Sequence, residues 1–227
     1  MKRSEINGLM REAVGFLEER RFPLPPFAFW GPGDWKTRGP EYDGIRDSML
    51  GWDITDFGGG DFAKVGLLLF TLRNGGAGAG KGAKPYAEKI MIVQEEQVTP
   101  FHFHWSKMED IINRGGGRLL VRLYNSTAAG GFDGSPVRLA MDGRNFTVDA
   151  GDTVAVRPGE SITLPAGQYH EFRGEKGTGR VLLGEVSMVN DDRTDNRFHD
   201  PIGRFPAIDE DCEPLYLLGS EYPPARR

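Results

Sequence analysis

The sequence has a single cysteine, no cluster of basic residues and no long apolar run, and each absence excludes a class of protein. Because Cys212 is the one cysteine among 227 residues, an intramolecular disulfide is impossible. The 28 basic and 33 acidic side chains give a formal net charge of −5 and are spread along the chain, which disfavours nucleic acids and anionic membranes as partners. The longest apolar run, residues 65–70, is far shorter than the roughly 18 residues of a membrane span.

The first 21 residues carry charged side chains where a secretory signal peptide needs an unbroken apolar core. We therefore expect a cytoplasmic protein. Apolar residues in this segment recur at helical spacing, which predicts an amphipathic helix over residues 4–21 with Ser4 as its N-cap. Residues 22–35, which follow, are rich in proline and aromatic side chains, so we predict an extended arm that packs on the rest of the protein.

From about residue 61 the pattern changes to short apolar and β-branched runs, separated by glycine, asparagine and aspartate turns. Ten such runs in about 130 residues predict an all-β sandwich or barrel. We predict one structural domain with three parts. These are an N-terminal helix and arm over residues 1–60, a β-barrel over residues 61–203 and a C-terminal tail over residues 204–227.

Two of the four histidines, His102 and His104, lie two residues apart in a β-type run. In a strand, such positions face the same side, so both imidazoles can reach one ion. Glu109 follows closely, and a turn at Pro165 and Gly167 delivers His170 into an adjacent strand. Three imidazoles and a carboxylate suit a divalent transition metal. A polar strand face without metal is the alternative reading of the histidine pair.

The spacing around these residues resembles the two motifs of the cupin superfamily. Four residues separate His104 from Glu109 and six separate Glu109 from Gly116, while the second motif runs from Gly159 to His170. Glu96 stands where the first motif usually begins with glycine. The resemblance implies the cupin double-stranded β-helix, a jelly-roll-like barrel with the metal inside, and the chain adds the N-terminal helix and the aromatic-rich arm.

A closer resemblance comes from the wording of three segments: TPFHFHWSKMEDIINRGGG over residues 99–117, LPAGQYHEF over residues 164–172 and GEVSMVNDDRTDNRF over residues 184–198. Together with the N-terminal helix and arm, they resemble the D-lyxose ketol-isomerase family. The resemblance implies a homodimeric enzyme that interconverts D-lyxose and D-xylulose, and also D-mannose and D-fructose. It implies Mn²⁺ as the metal, with Co²⁺, Fe²⁺, Ni²⁺ and Zn²⁺ as alternatives that the same ligands accept.

Such an isomerase needs groups that move protons, and two candidates follow from the residues. Glu185 is a carboxylate in an otherwise apolar run, where burial is unfavourable without a partner or a task. We predict it as the base at C1 and C2 of the sugar. Lys107 shares odd parity with Glu109, so an extended backbone would point both side chains into the barrel, and we predict it as the acid for the sugar oxygens. A structural salt bridge and a solvated rim charge are the respective alternatives.

Four further residues are candidates for contacts with the sugar. Trp105 adjoins the ligand strand, and the others lie in polar segments that we expect to close the mouth of the barrel: Asp191, Asp192 and Arg204. Two other functions stay open at this point. One is an Fe²⁺-dependent cupin dioxygenase, since three histidines and a glutamate also bind iron. The other is a non-catalytic cupin module that binds a sugar or a metal.

Overall fold

The structure, a computed structural model, describes residues 1–75, 84–189, 191, 194–204 and 207–225. Helix α1 spans Arg3–Glu19 and buries an apolar stripe that includes Ile6, Met10 and Leu17. The predicted helix is confirmed, but its start is not. Lys2 occupies the N-cap position, whereas Ser4 lies in the first turn, and its hydroxyl donates a hydrogen bond to Asp211 at 2.6 Å. The Ser4 side chain therefore bonds to the C-terminal tail and does not cap the helix.

The prediction that residues 22–35 form an extended arm is wrong, because this segment and the residues after it contain short helices. A 3-10 turn over Pro26–Phe29 is followed by α2 over Pro32–Trp35, a second 3-10 turn over Pro40–Tyr42 and α3 over Asp43–Asp47. Prolines open three of these four segments, where a missing backbone N–H is tolerated. None of the helices in the described ranges is long and apolar enough to cross a membrane.

The rest of the described chain is dominated by strands. They are β1 (Gly51–Thr55), β2 (Leu67–Arg73), β3 (Tyr86–Val93), β4 (Val98–His104), β5 (Glu109–Gly116), β6 (Leu119–Ser126), β7 (Phe132–Asp133), β8 (Val137–Met141), β9 (Arg144–Val148), β10 (Thr153–Val156), β11 (Ser161–Leu164), β12 (Gln168–Gly174), β13 (Val181–Met188) and β14 (Asn196–Phe198). β1 lies before residue 61 and was not predicted. The division into three parts stays a prediction.

The strands form two antiparallel sheets. One has eight strands in the order β1-β2-β3-β13-β5-β11-β8-β9, and the other has the order β10-β6-β12-β4-β14, with β7 beside β6. Their inner faces enclose one apolar core, to which both sheets contribute, for example Leu183 and Ile162 from the first and Leu123 and Phe172 from the second. This arrangement confirms the predicted all-β, cupin-type barrel.

A second apolar cluster covers the outside of the eight-stranded sheet. The buried stripe of α1 packs there against residues of β2 and β3 such as Phe70 and Ile92, and Leu218 of the tail joins them. Trp52 of β1 fixes the arm in this cluster. Its indole N–H donates a 2.7 Å hydrogen bond to the Ala28 carbonyl, and the residue is only 1% exposed.

The C-terminal tail is tied to α1 by ion pairs. The guanidinium of Arg3, 1% exposed, binds the carboxylates of both Glu210 and Glu221. Backbone hydrogen bonds from Arg3 to Asp209 and from Asp209 to Met1 add to this link. The first helix and the tail therefore form one layer against the barrel.

Candidate active site

Three histidines converge inside the barrel from the sheet that contains β4 and β12. His102 and His170 are directly opposite each other in the β4–β12 pair, and their Nε2 atoms are 3.0 Å apart. His104 lies two residues further along β4, on the same face. One ring nitrogen of each histidine lies within 4.8 Å of those of the others. His102 and His104 therefore face the same side of β4, as their two-residue spacing predicts.

The hydrogen bonds of the histidines fix which nitrogens face inward as acceptors. Nδ1 of His102 is 2.8 Å from the Pro100 carbonyl, and Nδ1 of His170 is 3.1 Å from the Gln168 carbonyl. A carbonyl only accepts, so the proton of each neutral ring is assigned to Nδ1 and the lone pair to Nε2. Two lone pairs facing each other across 3.0 Å repel unless a cation lies beside both. The arrangement fits a metal ion.

Burial also favours the neutral form of the His102 and His104 rings. It lowers the pKa of His102 well below the ordinary value, and the nearby His170 and His104 rings act in the same direction. Burial is likewise the largest cause that lowers the pKa of His104, against the opposing attraction of Glu109. Neutral imidazoles are the form that binds metals.

Glu109 reaches the histidines from the opposite sheet, at the start of β5. Its Oε1 lies 3.2 Å from Nε2 of His170, and its Oε2 lies 3.4 Å from Nε2 of His104. Burial opposes ionisation of this carboxyl, but Lys107 and the histidines outweigh it and hold the pKa of Glu109 well below its usual range. A carboxylate and three imidazoles form a ligand set typical of Mn²⁺, Fe²⁺ or Zn²⁺.

A row of alternating charges continues from Glu109 across the eight-stranded sheet. Nζ of Lys107 is 2.7 Å from Oε2 of Glu109 and 2.9 Å from Oε1 of Glu185, and Nζ of Lys89 is 3.1 Å from the same Oε1. All four side chains are buried. Burial acts to raise the pKa of Glu185, but the charges of Lys107 and Lys89 lower it below its ordinary value, so Glu185 is an ionised carboxylate.

The side chain of Lys107 reaches the barrel interior, but not through the extended backbone that the parity argument assumed. Residues 105–108 are bent and outside any strand, so the parity argument does not apply to them. The carboxylate of Asp195 fixes the bend by accepting hydrogen bonds from the backbone N–H groups of Ser106 (2.8 Å) and Lys107 (3.2 Å). Asp195 was not predicted as a residue of the site, because the backbone groups that it binds are distant in sequence.

Lys89 was also missed, although the sequence carries a signal for it. It lies in the apolar run of β3, just as Glu185 lies in the apolar run of β13, and the two residues are paired in register. The rule that singled out Glu185, a charge in a run that otherwise reads as buried, applies equally to Lys89.

Most of these groups line one pocket. Its polar wall contains the imidazoles of His102 and His104 and the row of charges, while the rest is largely apolar: Phe57, Leu67, Leu69, Met91, Ile111, Phe172 and Phe198. Thr99 adds a buried hydroxyl for which the described residues provide no hydrogen-bond partner. The pocket thus has charged groups and imidazoles on one side and apolar side chains on the other.

The four predicted sugar contacts have different locations. Arg204 lines the pocket and is held by Asp53 of β1, with Nη2–Oδ2 and Nη1–Oδ1 distances of 2.5 and 3.3 Å. Trp105 is 58% exposed and packs edge-on against Phe103, outside the described lining. Asp191 accepts a hydrogen bond from Thr194, and it too is absent from that lining. Asp192 lies outside the described residues.

Known proteins similar to this chain point to one family. The family model described as D-lyxose isomerase matches residues 1–222. A protein of Serratia proteamaculans named D-lyxose/D-mannose isomerase is 50% identical over 224 residues, and the match covers 98% of both chains. A protein of Escherichia coli O157:H7 with the same name is 47% identical over 223 residues, again with 98% of both chains covered.

A solved structure shows the same fold at much lower sequence identity. The L-ribose isomerase of Acinetobacter sp. DL28, in complex with L-ribose, superposes with a TM-score of 0.62 at 17% identity. The match covers 92% of this chain and 98% of that one.

Proposed function

The chain belongs to the D-lyxose isomerase family, and on that premise we propose that it interconverts D-lyxose with D-xylulose, and D-mannose with D-fructose, with the help of a divalent metal. That it is a sugar isomerase of the ketol-isomerase type follows from the family itself. The choice of sugars rests on the names of its relatives, and the metal rests on the ligand set. Family membership favours this function over the dioxygenase and the binding module considered above.

One observation carries the proposal: an ionised, buried Glu185 touches Lys107 within the pocket that also holds the imidazole cluster. Ketol isomerisation moves one proton between C2 and C1 and exchanges a carbonyl with a hydroxyl. A carboxylate of this kind can take the proton from C2 of the open-chain aldose and return it to C1. The electron pair of the broken C–H bond passes through an enediolate, so no oxidant or reductant is needed.

Lys107 is placed to serve the oxygen atoms. Its ammonium group lies between Glu109 and Glu185, 2.7 and 2.9 Å from their carboxylates, at the boundary between the predicted metal ligands and the base. From there it can donate a proton to the carbonyl oxygen and recover one from the hydroxyl. The net proton balance of the reaction is zero, as an isomerisation requires.

Four residues would hold the metal: His102, His104, Glu109 and His170. A divalent ion held by them would supply positive charge that stabilises negative charge developing on the sugar oxygens. We propose Mn²⁺ on the strength of the family resemblance, while Co²⁺, Fe²⁺, Ni²⁺ and Zn²⁺ fit the same ligands. A homodimer in the cytoplasm also stays a prediction, which gel filtration and cell fractionation would test.

The test is ketose formation from D-lyxose and D-mannose by protein stripped with a chelator and then restored with Mn²⁺. We expect turnover that depends on metal. Glu185→Gln should abolish it while the metal content stays unchanged. The matched control is Glu88→Gln, a neighbour on β3 that pairs with exposed Arg73 outside the pocket, and it should leave the rate unaltered. Absence of turnover with every divalent metal, despite bound ion, would refute the proposal, and oxygen uptake would then favour the dioxygenase.

A further inference from the structure

We infer that the two oxygens of the Glu185 carboxylate have different tasks. Oε1 is an anchor, and Oε2 is the oxygen that carries the proton between C2 and C1. Lys89 and Ser187 are then positioning residues that fix this orientation. The inference rests on the proposed function of Glu185 as the base.

Two hydrogen-bond donors and one further cation surround Oε1. Nζ of Lys107 donates from 2.9 Å and Oγ of Ser187 from 3.0 Å, while Nζ of Lys89 forms an ion pair with it at 3.1 Å. Hydrogen bonds to an ionised carboxylate are stronger than those between neutral groups. A carboxylate oxygen has two lone pairs, so the hydrogen bonds from Lys107 and Ser187 leave Oε1 little capacity to accept another proton.

Oε2 has a different environment. Its one contact within the described part of the chain is Nζ of Lys89, at 3.4 Å. That distance is well beyond the roughly 2.7–2.9 Å typical of a charged hydrogen bond. Glu185 lines the pocket, so Oε2 is the oxygen with accessible lone pairs. The less saturated oxygen is the more basic of the two, and it is the one that a sugar C–H group can approach.

The anchor is part of the sheet and not of a loop. Ser187 is two residues after Glu185 on β13, so both side chains point to the same face. Lys89 is directly opposite Glu185 on β3. Groups on neighbouring strands keep their spacing better than groups on loops, which suits a base that must meet one C–H bond.

The hydroxyl of Ser187 has one proton and two acceptors within reach. These are Oε1 of Glu185 at 3.0 Å and the Met188 carbonyl at 2.9 Å. The carboxylate is ionised and is therefore the stronger acceptor, so the proton points to Glu185. Ser187 is absent from the described pocket lining, and its hydroxyl is linked to the pocket by its hydrogen bond to Glu185.

The experiment compares kcat, KM and bound metal in Ser187→Ala, Lys89→Met and Lys89→Arg with the unaltered enzyme. For Ser187→Ala we expect kcat to fall about tenfold, since one hydrogen bond to a charged group is lost, with KM changed by less than about twofold. The primary isotope effect with D-lyxose deuterated at C2 should rise, because proton transfer becomes slower. Lys89→Arg should retain more activity than Lys89→Met. Ser161→Ala removes a hydroxyl bonded to Asp142, and since neither residue is in the described pocket lining, this variant is the control.

Each outcome separates the two proposals. Normal kcat in both Ser187→Ala and Lys89→Met, alongside an inactive Glu185→Gln, overturns the anchor and leaves the proposed function standing. A higher KM with unchanged kcat in Lys89→Met assigns Lys89 to sugar binding and overturns its positioning role. An unaltered enzyme that converts neither sugar overturns the proposed function itself.

Discussion

Replacing Trp52 with phenylalanine should detach the arm from the barrel at a measurable cost in stability. The indole N–H donates to the Ala28 carbonyl at 2.7 Å, and both residues are buried. Removing the indole donor leaves the buried Ala28 carbonyl without this hydrogen bond, which lowers the free energy of unfolding by about 1–2 kcal/mol. The smaller ring leaves a void of roughly 40 Å³, which at ~24 cal/mol per Å³ costs about 1 kcal/mol more. The edge-to-face contact with Phe70 at 5.0 Å is kept in weakened form.

The two contributions together lower the free energy of unfolding by about 2–3 kcal/mol, or the melting temperature by about 5–10 °C for a chain of this size. Thermal unfolding followed by circular dichroism measures the change. Trp105→Phe makes the same chemical change at a residue that is 58% exposed and should shift the midpoint by less than about 1 °C. Equal shifts in both variants would show that the indole hydrogen bond does not fix the arm.

Three further predictions follow. Tyr222 is stacked on Trp35 with ring centroids 4.0 Å apart, and burial raises the pKa of its hydroxyl. The free energy of unfolding is therefore unaffected by this group below its unfolded-state pKa of about 10 and falls as the pH rises above that value. Tyr222→Phe should remove this loss in unfolding curves recorded between neutral and alkaline pH. Asp53→Asn should loosen Arg204 and raise KM for D-lyxose about tenfold at unchanged kcat, whereas a fall in kcat alone would contradict a role in sugar binding. Free Mn²⁺ at a hundred times its dissociation constant should stabilise the protein by about 2.7 kcal/mol in a thermal shift assay, and the effect should vanish in His170→Gln.

The sequence predicted those parts of the site that depend on strand alternation. His102 and His104 face one side because they are two residues apart in a strand, and Glu185 stood out as a charge in an apolar run. Lys89 is also a charge in an apolar run, so the same rule predicts it as a residue of the site. Lys107 reaches the interior through a bend held by a distant carboxylate, and local periodicity contains no information on such a contact.

Contacts between distant segments account for the rest of what the sequence did not predict. β1 joins the edge of the eight-stranded sheet by pairing with β2, but its short segment follows a region dominated by prolines and helical turns. Asp53 and Arg204 are 151 positions apart, and nothing in either local pattern indicates the pair. The N-cap of α1 was mistaken for a similar reason, because the competing partner of Ser4 is Asp211 in the tail.

The two sheets contribute different chemistry to the pocket. The sheet of β4 and β12 supplies the three imidazoles, whereas the sheet of β3, β5 and β13 supplies Lys89, Glu109 and Glu185. A change in the spacing of the sheets therefore moves the imidazoles relative to the carboxylates without altering the distances within either group. Core side chains between the sheets that do not line the pocket thus set the alignment of the proposed metal ligands with the proposed base, and repacking them is a route to tune turnover while every one of those groups is retained.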